Sequence, residues 1–413
     1  MFNGIRDRLR RMRRRRNMRM RPGRGRRRVS RFRVSGIGPM LKIGGLAVGV
    51  VGFILLIIFV IVPLFGGNSA GPAVTETASA TPVPTSTPMA RSDMSDLDEE
   101  LTIENLSIND PFVFGREVVF STGKKDEVSP EIKQIALFDM DAKTTTVVED
   151  ITASYATLFE PKMNDKYIVY LDCKSAYGGA VCGFDRETGE KFVMREYLYG
   201  KPKVSLSGEY ALWLQQTGKG TDRLYLYHLP SRETAEIEIF VNTPFSVSAP
   251  HMSDDAIVYV QPYGESQVLE GSSASTEAEI CVIPLKEGAD AQRILFRPGV
   301  PVFDPMIDGD NIVFIDTNRD EKARLLLCTK QGDTYSQPTQ IAEGVVNYAV
   351  GDGYVAYTKD EGIYLYYFAD KSTGRLTSES TRSFLASANG KDVVWYDITA
   401  LGGANVVFHA LVP

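Results

Sequence analysis

Residues 161–170 read PKMNDKYIVY: a proline, a polar turn at Asn164-Asp165, then a hydrophobic strand ending in an aromatic. The same order recurs as Pro111…Val118-Val119-Phe120, Pro202…Ala211-Leu212-Trp213, Pro250…Ile257-Val258-Tyr259 and Pro305…Ile312-Val313-Phe314. Two further copies, Asn347…Val355-Ala356-Tyr357 and Ser387…Val394-Trp395-Tyr396, replace the proline with a small polar residue. A repeat of roughly 40–55 residues built only of strands and turns is the signature of a β-propeller, one blade per repeat. The chain is therefore expected to be all-β, with seven blades preferred over six or eight.

Within the second repeat, 160–163 reads as the innermost strand and 166–172 as the second. Residues 180–185 form the third and 190–195 the outer strand. Asp, Asn and Gly fall in the turns, where left-handed backbone is needed. The seventh repeat supplies its third strand at 406–412 and no fourth. The stretch LTIENLSI at 101–108 is a strand without a blade of its own. Pairing the two completes the seventh blade and removes two exposed edges. The propeller domain is thus expected over 96–413, closed by its N-terminal strand.

The 413 residues carry a net charge of −6, which hides a sharp division. Residues 1–42 hold sixteen Arg and one Lys against the single acid Asp7, leaving 29 basic and 51 acidic residues for the remainder. Residues 43–65, IGGLAVGVVGFILLIIFVIVPLF, contain no charge. At 1.5 Å per residue such a run spans the roughly 30 Å of bilayer hydrocarbon, so one transmembrane signal-anchor helix is expected. A cleaved signal peptide near Ser69-Ala70-Gly71 is the rival reading, but its apolar core would be shorter, roughly 7–15 residues. The positive-inside rule keeps the Arg-rich tail, 1–42, cytoplasmic and puts the propeller outside. That tail suits contact with anionic lipid. It lacks a folded module and interleaved aromatics, so no nucleic-acid partner is expected. Residues 66–95, rich in Ser, Thr, Pro and Ala, cannot bury enough surface to order themselves and read as a flexible stalk.

Candidate sites are sparse. Lys162 and Lys203 each follow a proline at what reads as one repeat position, and His251 follows Pro250, so the three are candidates for one channel rim able to attract an anion. Cys173 ends a second strand and Cys182 lies in the next, so a disulfide across that hairpin is expected outside the cytoplasm. Cys281 and Cys328 are expected to be buried hydrophobes. Asp316, Asn318 and Asp320 alternate as in a calcium loop, but Glu321 and Leu327 stand where such a loop needs Gly and Glu; calcium is a weak candidate and no other cofactor is expected. The three histidines share no short spacing. Within 96–413 there is no Gly-x-Ser-x-Gly elbow and no phosphate loop, so no enzyme activity is expected. Paired carboxylates such as Asp308/Asp310 sit in turns, which leaves a hydrolase or lyase the least favoured reading.

Pro250-His251-Met252-Ser253-Asp254-Asp255 and Pro305-Met306-Ile307-Asp308-Gly309-Asp310, each before a second strand, resemble the turn repeated in TolB-type and WD-like propellers. The resemblance covers most of 110–413. It implies a rigid disc that binds proteins or small ligands on one rim. Together with the anchor, it points to a protein-binding scaffold at the cell envelope with an envelope or extracellular protein as partner. The alternative is a sensor that takes a ligand, glycan or ion in its central channel.

Overall fold

The computed structural model describes residues 89–90 and 99–412, apart from 103–106, 124–130, 175–176, 219–220, 242–247, 263–277, 286–291, 296–301, 317–321 and 398–405. The tail, the transmembrane segment and nearly all of the stalk expected from the sequence lie outside the described residues. No helix occurs among the described residues; every regular element is a strand.

Seven sheets, antiparallel except for a parallel edge pairing in one, make seven blades. Blade two shows why. Its second strand, Tyr167–Cys173, is buried at every residue, because both faces of the sheet pack on neighbouring sheets. Its outer strand, Lys191–Tyr197, is mostly solvent-facing. A separate apolar cluster fills each of the seven gaps between successive blades. Between blades two and three, Trp213 is fully buried and lies 5.7 Å from the Tyr225 ring, which is also stacked by the Arg195 guanidinium at 4.2 Å.

In blade seven, Glu99–Thr102 runs antiparallel to Val406–Leu411, with Leu101 opposite Val407. Leu101 is buried in the cluster that joins blade seven to blade one. Met89–Ala90, inside the segment expected to be a stalk, lies parallel to Ser372–Arg375 at the outer edge of blade six.

The inner strands explain where the channel residues fall. In blades one, two and five the ladder to the second strand is interrupted at Asp110-Pro111, Glu160-Pro161 and Asp304-Pro305. The acid before each proline adopts positive φ, between +48° and +50°. Proline has no N–H to give a ladder, so it is tolerated in such a bulge. After the bulge the register resumes. Phe112, Lys162, Ser205, His251, Met306, Ala349 and Ser387 each sit opposite the residue seven positions later in the second strand. These seven are the equivalent positions of the ring.

Candidate functional site

The inner strands enclose a cavity of about 620 Å³ at one end of the channel, lined from all seven blades. Its floor includes Phe112, Lys162, Ser205 and His251; Asn164, Ser207, Ser253, Asp308 and Asn389 stand two residues further along their strands, toward the mouth. Asp165, Glu209, Asp254, Asp255 and Asp352 rim the opening beside Lys166.

Lys162 and His251 therefore do share the channel. Lys203 does not line this cavity, and the structure corrects the sequence alignment that equated it with Lys162. Val204 pairs with Trp213 and Ser205 with Leu212, so Ser205 is the true equivalent of Lys162. Lys203 precedes the strand Val204–Ser207 and is exposed. The reason is the bulge: Pro161 directly precedes its ring residue, whereas Pro202 precedes Ser205 by three.

Bonds between blades hold the ring. The amide of Met252 donates to Ser205 Oγ at 3.0 Å, that of Ile307 to His251 Nδ1 at 3.2 Å, and that of Val113 to Ser387 Oγ at 3.0 Å. Each links a ring residue to the residue just after the ring position in the next blade. Burial, and after it the charge of Lys162, depress the His251 pKa from 6.5 to about 3. The imidazole is thus neutral, and the Ile307 amide fixes its tautomer: Nδ1 accepts, so Nε2 carries the proton.

Lys162 makes no hydrogen bond or ion pair among the described residues; the Phe112 ring lies 5.9 Å from its ammonium. Burial lowers its pKa, the nearby Glu160 opposes that shift, and Lys203 adds to it. Burial raises the Glu160 carboxyl, against Lys162, and Asp110 pushes the same way as burial. The carboxylates of the mouth serve the turns: Asp254 accepts from the Ser207 hydroxyl and Asp308 from the Gly353 amide at 2.9 Å. Asp308 is itself raised by burial. Ser205, Ser387 and Glu160 were not singled out in the sequence. The constant seven-residue step into each second strand, to the centre of the hydrophobic triplet in six blades and to its first residue, Val394, in the seventh, was the signal that marks the ring.

The other sequence candidates fare differently. Cys173 and Cys182 are both free thiols, which overturns the expected disulfide. Cys173 pairs with Gly179 and Cys182 with Tyr170, so the two sulfurs leave opposite faces of the sheet. Cys173 packs toward blade three and Cys182 toward blade one. Asp316 is fully buried and both its oxygens accept from the Arg324 guanidinium, at 2.8 and 2.5 Å. That bidentate pair engages both oxygens of the first residue of the calcium candidate. Asn318 and Asp320 lie outside the described residues. Among the described residues no three His, Cys, Asp or Glu side chains gather as a metal site would require.

No family model matches the chain, and no curated protein does. Solved propellers do. The β-propeller domain of the Trilobed protease from Pyrococcus furiosus matches with a TM-score of 0.54 at 14% identity, over 74% of this chain and 93% of that one. An oligogalacturonate lyase from Vibrio parahaemolyticus matches with a TM-score of 0.50 at 10% identity, over 76% and 93%. TolB from Acinetobacter baumannii matches at 14% identity over 60% of each chain, with a TM-score of 0.41. The likeness to TolB-type propellers read from the sequence is a likeness of fold, and at such identities these matches show the fold alone.

Proposed function

We propose that this protein is a membrane-anchored binding scaffold that takes a protein partner on the rim opposite the cavity. In an antiparallel blade, the first-to-second and third-to-outer turns share one rim, here the cavity mouth. The second-to-third loops and the crossings to the next blade share the other. On that other rim Tyr177, Leu198 and Tyr199 are 81%, 63% and 48% exposed. Gly178 abuts the backbone of Leu198, and Gly218 abuts the Tyr199 ring, so the three side chains belong to adjoining loops of blades two and three. Val346 and Phe384, also exposed, begin the inner strands of blades six and seven on the same rim. Exposed aromatic and aliphatic clusters of this kind are what protein interfaces are built from. This aromatic cluster is the observation that carries the reading.

In the same reading, residues 43–65 span the membrane and 1–42 remain in the cytoplasm against anionic lipid, and the strand at 99–102 closes the ring. The test is crosslinking in intact cells of the source with the wild type and with Tyr177→Ser/Leu198→Ser/Tyr199→Ser. A partner captured by the wild type and lost in the triple variant supports the scaffold. Equal capture by both refutes this rim as the interface. Protection of the propeller from protease added outside the cells would refute its placement there.

A second reading, that the channel takes a small ligand, is favoured by the 620 Å³ cavity and its two cationic or polar candidates, Lys162 and His251. Native mass spectrometry of the purified full chain tests it.

A further inference from the structure

The cavity floor carries an arrangement that names the chemistry of such a ligand. We infer that Lys162, Ser205 and His251 form a receptor for a small monocarboxylate. This rests on the second reading, that the channel binds a ligand, and specifies its class.

The three residues occupy one ring position on three consecutive blades and line one cavity. Their hydrogen-bonding roles are set by the blades behind them. The Met252 amide occupies an acceptor site of Ser205 Oγ, and the Ile307 amide occupies the only acceptor of His251. What remains for the cavity is the Ser205 hydroxyl proton and the His251 Nε2 proton. Lys162 adds an ammonium that has no hydrogen bond or ion pair among the described residues. Three donors on one arc, with a lone pair of Ser205 Oγ the one acceptor not taken by a neighbouring blade, match an oxyanion. A carboxylate, with two oxygens in a fork, suits donors arriving from adjacent blades.

Charge narrows the class. The arc has a single formal positive charge, because the imidazole is neutral. The mouth carries Asp165, Glu209, Asp254, Asp255, Asp308 and Asp352 against Lys166. A dianion such as phosphate meets that field at twice the cost of a monoanion. The Phe112 and Phe114 rings on the wall accommodate an apolar body behind the carboxylate.

The test uses the purified full-length chain in detergent and three probes followed by ligand-detected NMR: benzoate, its neutral analogue benzyl alcohol, and inorganic phosphate. Benzoate is expected to bind most tightly. Lys162→Met and His251→Leu should each weaken it by about tenfold or more, the loss of one charge-assisted or buried hydrogen bond. Lys203→Met, outside the cavity, should leave the affinity unchanged. Thermal melts establish that each variant is folded, and Lys162→Gln replaces Lys162→Met should the latter not fold. Binding of benzyl alcohol or phosphate as tightly as benzoate, or unchanged benzoate affinity in Lys162→Met, would overturn the carboxylate assignment while leaving the channel as a binding site. No binding of any probe would overturn both.

Discussion

The amide of Ile307 in blade five donates to Nδ1 of His251 in blade four, 3.2 Å away. One bond thereby ties two blades together and commits the only histidine of the cavity to a single neutral tautomer. Protonation would put a second N–H where the Ile307 amide already points. The native pKa, about 3, lies below the unfolded value near 6.5. Between those values the unfolded chain holds a proton that the native protein refuses, so this residue's contribution to stability falls as pH drops from about 6.5 toward 3. His251→Gln keeps an acceptor for the amide and has no proton to gain. Denaturant unfolding at pH 7 and pH 4.5 should show the wild type losing more stability on acidification than the variant. Identical losses would mean that His251 does not hold its neutral form.

Arg324 and Asp316 are a different kind of pair, facing each other across the second and third strands of blade five. Both groups are largely removed from water, Asp316 completely. Removing the cation alone strands a buried carboxylate, so Arg324→Met should cost about 3–5 kcal/mol, while Arg324→Met/Asp316→Asn should recover part of it. Chemical denaturation of the two variants measures the difference. Millimolar calcium should leave the wild-type Tm unchanged, because the carboxylate at the head of the supposed loop is already satisfied.

The blade count was legible because it depends on a pattern that repeats at every copy, the hydrophobic second strand. Assigning single residues was harder, for two physical reasons. A bulge inserts residues without changing the composition around it, so the proline that marks the ring in blade two mismarks it in blade three, and Lys203 was read for Ser205. Pairing across a hairpin depends on parity as well as proximity. Cys182 faces the same way as Tyr170, three residues from Cys173, and an odd separation along a strand reverses the face. Ser205 and Ser387 gave no local sign, since their importance lies in amides contributed by the next blade.

The thiols offer a direct check of that register. Burial pushes Cys182 and Cys328 up to about 12, and it raises Cys173 despite the Tyr197 hydroxyl 2.9 Å from its sulfur. All four cysteines are buried. A thiol reagent at pH 8 should therefore leave the native protein unmodified and label four cysteines after denaturation, since only an accessible thiolate reacts. Peptide mapping without reductant should recover Cys173 and Cys182 unlinked. A 173–182 crosslinked peptide would require the strand register of blade two to be wrong.

Leu101 tests how the ring is held. It pairs with Val407 on the last strand and is buried among Ile108, Val113 and Val394, at the seam between blade seven and blade one. In the proposed closure, the outer strand of blade seven comes from the N-terminal side of the sequence. An unpaired third strand would expose its edge, and a charge at Leu101 would have to be buried or would expel the strand. Leu101→Asp should therefore lower Tm more than Leu206→Asp, a half-buried position at the seam between blades two and three. It should also release Val406–Leu411 first in hydrogen exchange, before any other third strand. Uniform loss of protection across all seven blades would show instead that the seam is no weaker than the rest of the ring.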